Sequence, residues 1–218
     1  MKVGSLEVWT LVDAVGSFAT MSEVFPVLPS DEEWWLPINV VLVRGAENTV
    51  LVDTGLGPHP RSFMPDAEVH EDDWAFFMTE EALVDRPHLR ENVLPLDIAG
   101  RVDLVAGETE VARGVRIIPT PGHTPGHLSV RLESQGRSLF VLGDVVVHEV
   151  QVGEPDIAYV SDHDSERAAA TRRHILGELA DEGTDVIVSH FDGTGRFARA
   201  GEGFRWTTMG KEDGAPVE

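Results

Sequence analysis

The chain has 218 residues, a mass of 23.8 kDa and a formal net charge of −21, from 17 Lys and Arg against 38 Asp and Glu. That balance repels nucleic-acid phosphates and anionic membrane surfaces, and no basic patch offsets it. No apolar run is long enough to span a bilayer, and the absence of cysteine excludes disulfides and thiolate metal sites, so any bound metal must use imidazole and carboxylate.

In chain order, short β-branched apolar segments bounded by Gly, Asn or Asp predict strands at 6–12, 38–43, 50–52, 115–118, 128–132, 138–142 and 186–189. Two hairpin turns are expected, at 44–48 and at 134–137. Residues 79–93 read as one or two short helices broken near Pro87. Residues 164–181 predict an amphipathic helix, with Ala168, Ala169, Ile175, Leu176 and Leu179 on one face and Gly183 just past its end. Strand-rich parts alternating with helices give an α+β architecture with two sheets, expected as one domain over 1–218. The start of the chain runs into an alternating strand pattern rather than a leader-like apolar stretch, and a cytoplasmic location is expected.

Three segments carry chemistry. The strand 50–52 runs into Asp53-Thr54-Gly55-Leu56-Gly57, where the expected role of Asp53 is a local turn that satisfies its own backbone. Pro119-Thr120-Pro121-Gly122-His123-Thr124-Pro125-Gly126-His127 follows another strand. Its prolines limit φ and its glycines allow sharp bends, so His123 is held stiffly, as a metal ligand must be. His127 is expected to orient that loop. Leu142-Gly143-Asp144 and Val188-Ser189-His190 each place a polar group at the end of an apolar strand. A carboxylate there needs a cation or hydrogen bonds. His123, Asp144 and His190 can therefore converge at one sheet edge as a donor set suited to zinc, iron or manganese.

Together these segments resemble the metallo-β-lactamase superfamily, within it the branch holding N-acyl-homoserine-lactone lactonases and organophosphate-hydrolase-like enzymes. The resemblance implies an αββα sandwich with a di-metal cleft in which His123 binds one ion, His190 the other, and Asp144 bridges them. It also implies a hydrolase that uses metal-activated water on a lactone, ester or phosphotriester. Such relatives carry a His-x-His-x-Asp-His motif between the Asp-Thr-Gly turn and the Pro-Gly-His loop, and this chain has none. From His59 the template meets Arg61, Phe63 and Met64; from His70 it meets Asp72, Trp74 and Ala75; from His88 it meets Arg90; from His123 it meets Pro125 and Leu128. The expected account is loss of a helix-strand unit after Gly57, leaving an incomplete site with one or two ions.

Two function classes follow: a zinc-type hydrolase of a small molecule, or a catalytically inactive remnant that serves as a binding module with weak metal binding at most. The acidic run Glu68, Glu71, Asp72 and Asp73 is expected as a solvated charged stretch at a helix start, and His88, His163 and His174 as surface residues. His148 is a pocket candidate. Specificity is expected in the 148–163 loop and around Trp34 and Trp35, with core burial the usual fate of such aromatics. The partner expected is a small neutral or cationic substrate, a homodimer being allowed, with nucleic acid and membranes excluded.

Overall fold

The computed structural model describes residues 1–45, 47–54 and 66–209. Sequence readings that fall on Ala46, on Gly55 to Gly57, or on His59 lie outside the described residues. The first strands are β1 (Lys2–Val3), β2 (Leu6–Thr20), β3 (Glu33–Arg44) and β4 (Val50–Val52), with the one-turn helix α1 (Met21–Val24) between β2 and β3. They form an antiparallel sheet in the order β1-β2-β3-β4. β2 runs well past the expected end at Val12. The strand continues through two register shifts, between Val12 and Ala14 and between Ser17 and Thr20, and keeps pairing with β3.

A second small sheet pairs β5 (Ala67–His70) with β6 (Val102–Val105) in parallel, and α2 (Glu71–Phe77), α3 (Glu80–Asp85), α4 (Pro87–Asn92) and α5 (Leu94–Ile98) form the crossover. The expected break near Pro87 falls between α3 and α4, where the proline's fixed φ starts a new helix rather than continuing the old one. The sequence patterns of β5 and β6 are too short and too polar to stand out as strands.

The third sheet has seven strands in the order β13-β12-β11-β10-β9-β8-β7, namely β7 (Thr109–Ala112), β8 (Val115–Pro119), β9 (Leu128–Ser134), β10 (Arg137–Val141), β11 (Asp185–Ile187), β12 (Thr194–Ala200) and β13 (Gly203–Thr208). The β9–β10 turn is the expected hairpin, with Gln135 and Gly136 both at positive φ, as a primed turn requires. The short helix α6 (Val150–Gly153) and the long helix α7 (Ser165–Glu182) lie between β10 and β11. In α7 the Asp164 side chain caps the N-terminus by accepting from Arg167 N–H, and Gly183 closes the other end in the left-handed region.

Burial fixes the layers. Ile175, Leu176 and Leu179 of α7 pack with Phe140, Val186 and Phe197 on the outer face of the large sheet. The inner face of that sheet, with Val115, Leu132, Leu139 and Ile187, packs against Val3, Leu6, Val8, Val41 and Val43 of the first sheet. Each such aliphatic side chain contributes about 1.5–3 kcal/mol on full burial. Val50 and Val52 of β4 and Val105 of β6 cover the same central cluster. The β1–β4 sheet and the β5–β6 pair thus lie over one core as two pieces of a layer. Across the outer face of the first piece, Trp9, Leu42 and Leu51 sit in register, and Trp9 and Leu51 are exposed. Among the described residues no helix is long and apolar enough to cross a membrane.

Candidate metal centre

The loop after β8 holds His123 as its composition demands. Gly122 lies at φ 139°, and a Cβ there would fall 2.4 Å from both the N and the Cα of Ala168 at the start of α7, so a side chain is excluded by the backbone of that helix. Thr171 of the same helix donates to Pro121 O at 2.7 Å, and Asp164 and His163 N–H donate to Gly122 O and His123 O. The loop is also tied from its other side. Asp73 of α2 accepts from Gly126 N–H at 2.6 Å and from the Thr124 hydroxyl at 2.8 Å. Glu71 and Asp72 are exposed as expected for a charged helix start, but Asp73 is half-buried and serves as a tether, and Glu68 belongs to β5 rather than to the helix.

His127 is oriented at both ring nitrogens. Its Nε2 accepts from Asp144 N–H at 2.9 Å, so that nitrogen carries a lone pair and the proton resides on Nδ1, 2.8 Å from Thr120 Oγ1. The Thr120 hydroxyl then points to Ser129 Oγ at 2.9 Å, and the Ser129 hydroxyl donates to Leu142 O at 2.8 Å. Burial keeps His127 below its ordinary pKa, in agreement with this neutral wiring. Gly143 sits at φ 66°, and a Cβ on it would overlap the His127 ring at 2.7 Å, which explains the glycine before Asp144.

Asp144 is the centre of the cluster. Its Oδ2 lies 3.4 Å from His123 Nε2 and its Oδ1 lies 3.2 Å from His190 Nε2. The far nitrogens are both occupied: His123 Nδ1 is 3.2 Å from Asp162 Oδ1, and His190 Nδ1 is 2.9 Å from Pro37 O. A carbonyl is an acceptor alone, so His190 Nδ1 is the donor there, and Nε2 is the atom that gains or loses a proton beside Asp144. The turn carrying His190 is clasped by Asn39 of β3, whose side chain donates to Phe191 O at 2.8 Å and whose N–H donates to Ser189 O.

Burial favours a neutral His123, but the hydrogen bond to Asp162 and the charges of Asp144 and Asp162 outweigh it and raise its pKa. His190 behaves alike: burial is overcome by the hydrogen bond and charge of Asp144, then by Pro37 O. Burial would raise Asp144, yet His190, His123 and His127 hold it well below the usual carboxylate range. The cluster rests as a carboxylate between two imidazolium-prone rings.

All three predicted ligand residues are brought together. Among the described residues, no three His, Asp or Glu side chains are gathered as a ready cage for one ion; here each imidazole engages its own carboxylate oxygen. The donor chemistry nevertheless fits a divalent ion. Two Nε2 atoms and a carboxylate are the hard-to-borderline donors that zinc-type ions take. The cluster opens on a cavity of about 360 Å³ that extends under β4 and β5, with Asp53, Glu68 and Asp73 also on its wall. Asp53 adopts the turn role expected of it, at φ 66° with its carboxylate accepting from Thr54 N–H.

Beside the cluster, Phe25, Trp34, Tyr159 and His148 pack ring against ring, Tyr159 stacks on His123 with centroids 6.0 Å apart, and Trp34 meets His190 edge-on. Trp34 and Leu36 are core residues, as expected of most such aromatics and aliphatics, whereas Trp35, one position out of phase on the strand, is 62% exposed. His88, His163 and His174 lie at the surface as expected. Sequence reading missed Asp162, Arg172 and Asn39 and took Asp73 for part of a solvated run; each acts on partners outside its own local pattern.

The fold is thus a layered sheet sandwich that carries a His-Asp-His cluster in loops at one edge. The metallo-β-lactamase superfamily model matches residues 59–190, and the chain belongs to that superfamily. An N-acyl homoserine lactonase of Bacillus cereus is 27% identical over 111 residues, a match spanning 51% of this chain and 43% of that protein, less than half its length. Among solved structures, the chain is similar to AidC, a dizinc quorum-quenching lactonase bound to an N-acyl-L-homoserine product, with TM-score 0.81, 18% identity and coverage of 98% of this chain and 97% of that one. It is likewise similar to the hydrolase AbOPH of the β-lactamase superfamily, with TM-score 0.79, 19% identity and coverage of 98% and 97%. These likenesses establish the fold.

Proposed function

We propose that the chain is a metal-dependent hydrolase of a small lactone, ester or phosphotriester, in which His123, Asp144 and His190 hold one divalent ion, with zinc as the first choice and iron or manganese as alternatives. The observation that carries the reading is the pair of imidazoles anchored at Nδ1 whose Nε2 atoms flank Asp144 at a cavity. When bound, such an ion polarises a carbonyl or phosphoryl oxygen and lowers the pKa of water toward ~7.

The protein residues do the rest. Each Nε2 must lose its proton for a cation to be held, so cation and proton compete for the same atoms. Asp144, whose carboxylate is held ionised by the two flanking imidazoles, keeps the negative charge that a cation at the cluster would require. The Phe25, Trp34 and Tyr159 rings wall the cluster with apolar surface, and the carboxylates of Asp53, Glu68 and Asp73 disfavour anionic substrates. We read residues 1–218 as one domain, supported by cores in which residues 3–43 pack with residues 115–187. The split first layer and the exposed Trp9 and Leu51 row support the loss of a helix-strand unit after Gly57.

The alternative reading, an inactive remnant or binding module, is favoured by one set of contacts. His70 and Asp73, two of the donors that line the cavity, are engaged elsewhere: His70 Nδ1 caps α2 by accepting from Asp72 N–H, and Asp73 ties the His123 loop. Mass-spectrometric metal content and turnover of N-hexanoyl-homoserine lactone and of an organophosphate triester separate the readings. The hydrolase reading expects bound metal and turnover that His190→Ala abolishes. A folded protein with neither metal nor turnover would sink it.

A further inference from the structure

We propose that Asp162, itself held by Arg172, fixes His123 as the Nδ1–H tautomer, leaving the Nε2 lone pair on the side of Asp144. Arg172, on α7, and Asp162, in the loop before it, are each 1% exposed at their side chains. A buried ion pair gains little stability over apolar packing, because desolvating two charges offsets their attraction. Its placement here points to orientation instead.

Four of the five N–H groups of the guanidinium have partners. Nε donates to Val145 O at 2.7 Å, the residue after Asp144; Nη1 donates to Pro155 O at 2.7 Å and Ile157 O at 3.1 Å; and Nη2 reaches Asp162 Oδ2 at 3.5 Å. Arg172 therefore fixes the backbone beside Asp144 and the loop that carries Asp162. The two oxygens of Asp162 are divided in their duties. Oδ2 takes Arg172 and Tyr159 N–H, the latter at 3.3 Å, so Oδ1 is left to accept from His123 Nδ1 at 3.2 Å. A carboxylate cannot donate, and the Asp162 contact has hydrogen-bond geometry whereas Asp144 Oδ2 stands farther off, at 3.4 Å from Nε2, so the single proton of the neutral ring belongs to Nδ1. A hydrogen-bonded partner of this kind sets ring orientation and tautomer in metal-ligating histidines generally. Asp162 and Arg172 are positioning residues and face neither the cavity nor a substrate.

Asp162→Asn tests this with nearly unchanged shape. Arg172 and Tyr159 N–H both donate toward the outer atom, so the amide oxygen must take that place and the NH2 must face His123 Nδ1. The ring then has to accept at Nδ1 and carry its proton at Nε2. In metal-free protein with 15N-labelled histidine, at a pH above histidine titration, the expected result is Nδ1–H in the wild type and Nε2–H in the variant at His123. His190, bonded to Pro37 O, keeps Nδ1–H in both. An Nδ1–H ring at His123 in both proteins overturns the proposal, as does an Nε2–H ring in the wild type.

The role in metal binding rests on the function proposed above and is read separately by Co2+ titration, with about 10–100-fold weaker binding expected in the variant. Equal affinities overturn the proposed consequence. No Co2+ uptake by the wild type, with the tautomer inverted as expected, refutes the metal assignment and supports the role of Asp162. If Asp162→Asn does not fold, the double variant Asp162→Asn with Arg172→Met carries the same readout, since Tyr159 N–H still orients the amide.

Discussion

Replacing Asp73 by Ala should loosen the His123 loop without touching any proposed ligand. Asp73 accepts two hydrogen bonds from that loop, from Gly126 N–H at 2.6 Å and Thr124 Oγ1 at 2.8 Å. Hydrogen bonds to a carboxylate contribute about 1.5–3 kcal/mol each. The side chain is half-buried rather than sealed, so the lower end applies and the pair amounts to roughly 3 kcal/mol. In a chain of this size about 1 kcal/mol moves Tm by ~2–4 °C, which gives a fall of about 6–12 °C. Thermal unfolding followed by circular dichroism measures it. Asp73→Asn keeps one acceptor oxygen and should lose about half as much. A Tm for Asp73→Ala within ~2 °C of wild type would refute the tether, and with it the claim that α2 holds the site in place.

Three further outcomes follow from the same geometry. Gly122→Ala places a Cβ against the Ala168 backbone at φ 139° and should cost several kcal/mol, seen as a large drop in Tm and in soluble yield. Arg172→Met leaves Asp162 buried without its cation and should destabilise by about 3–5 kcal/mol in urea unfolding; an unchanged midpoint would contradict the burial of the pair. His148 packs between Phe25 and Trp34, and burial lowers its pKa against a small opposing effect of Glu149. A lowered histidine pKa means that the unfolded chain binds the proton first as pH falls. Its contribution is therefore present above the unfolded value of ~6.5 and is lost as pH drops through the folded value. In metal-free protein the Tm of the wild type minus that of a His148→Gln variant should fall between pH 7 and pH 5, and a difference that stays constant over that window would contradict the burial of His148.

Where a residue's role follows from its immediate neighbours, the sequence was a sufficient guide. The strand-loop settings of His123, Asp144 and His190 were legible because apolar strands and Pro-Gly turns are local signals, and the fold brings both histidines within 3.2–3.4 Å of Asp144. The long helix was legible from its periodicity, its Asp164 cap and Gly183. β5, β6 and the extension of β2 were not, since their pairing partners, rather than their own patterns, make them strands. Asp73 illustrates the limit: its run of carboxylates reads as solvent-facing, and only the packing of α2 against a loop 51 residues away gives it a partner.

By itself, the sequence determined the α+β class, the lineage carried by its three strand-end motifs, and the absence of a His-x-His-x-Asp-His spacing, all of which are properties of short windows. The tertiary structure alone decided which nitrogen of each histidine faces Asp144, that Asp162 and Arg172 stand behind His123, and that the first layer is split above a cavity. The reason is physical. Tautomer, orientation and desolvation depend on groups that meet through folding from distant parts of the chain, and no local propensity encodes them.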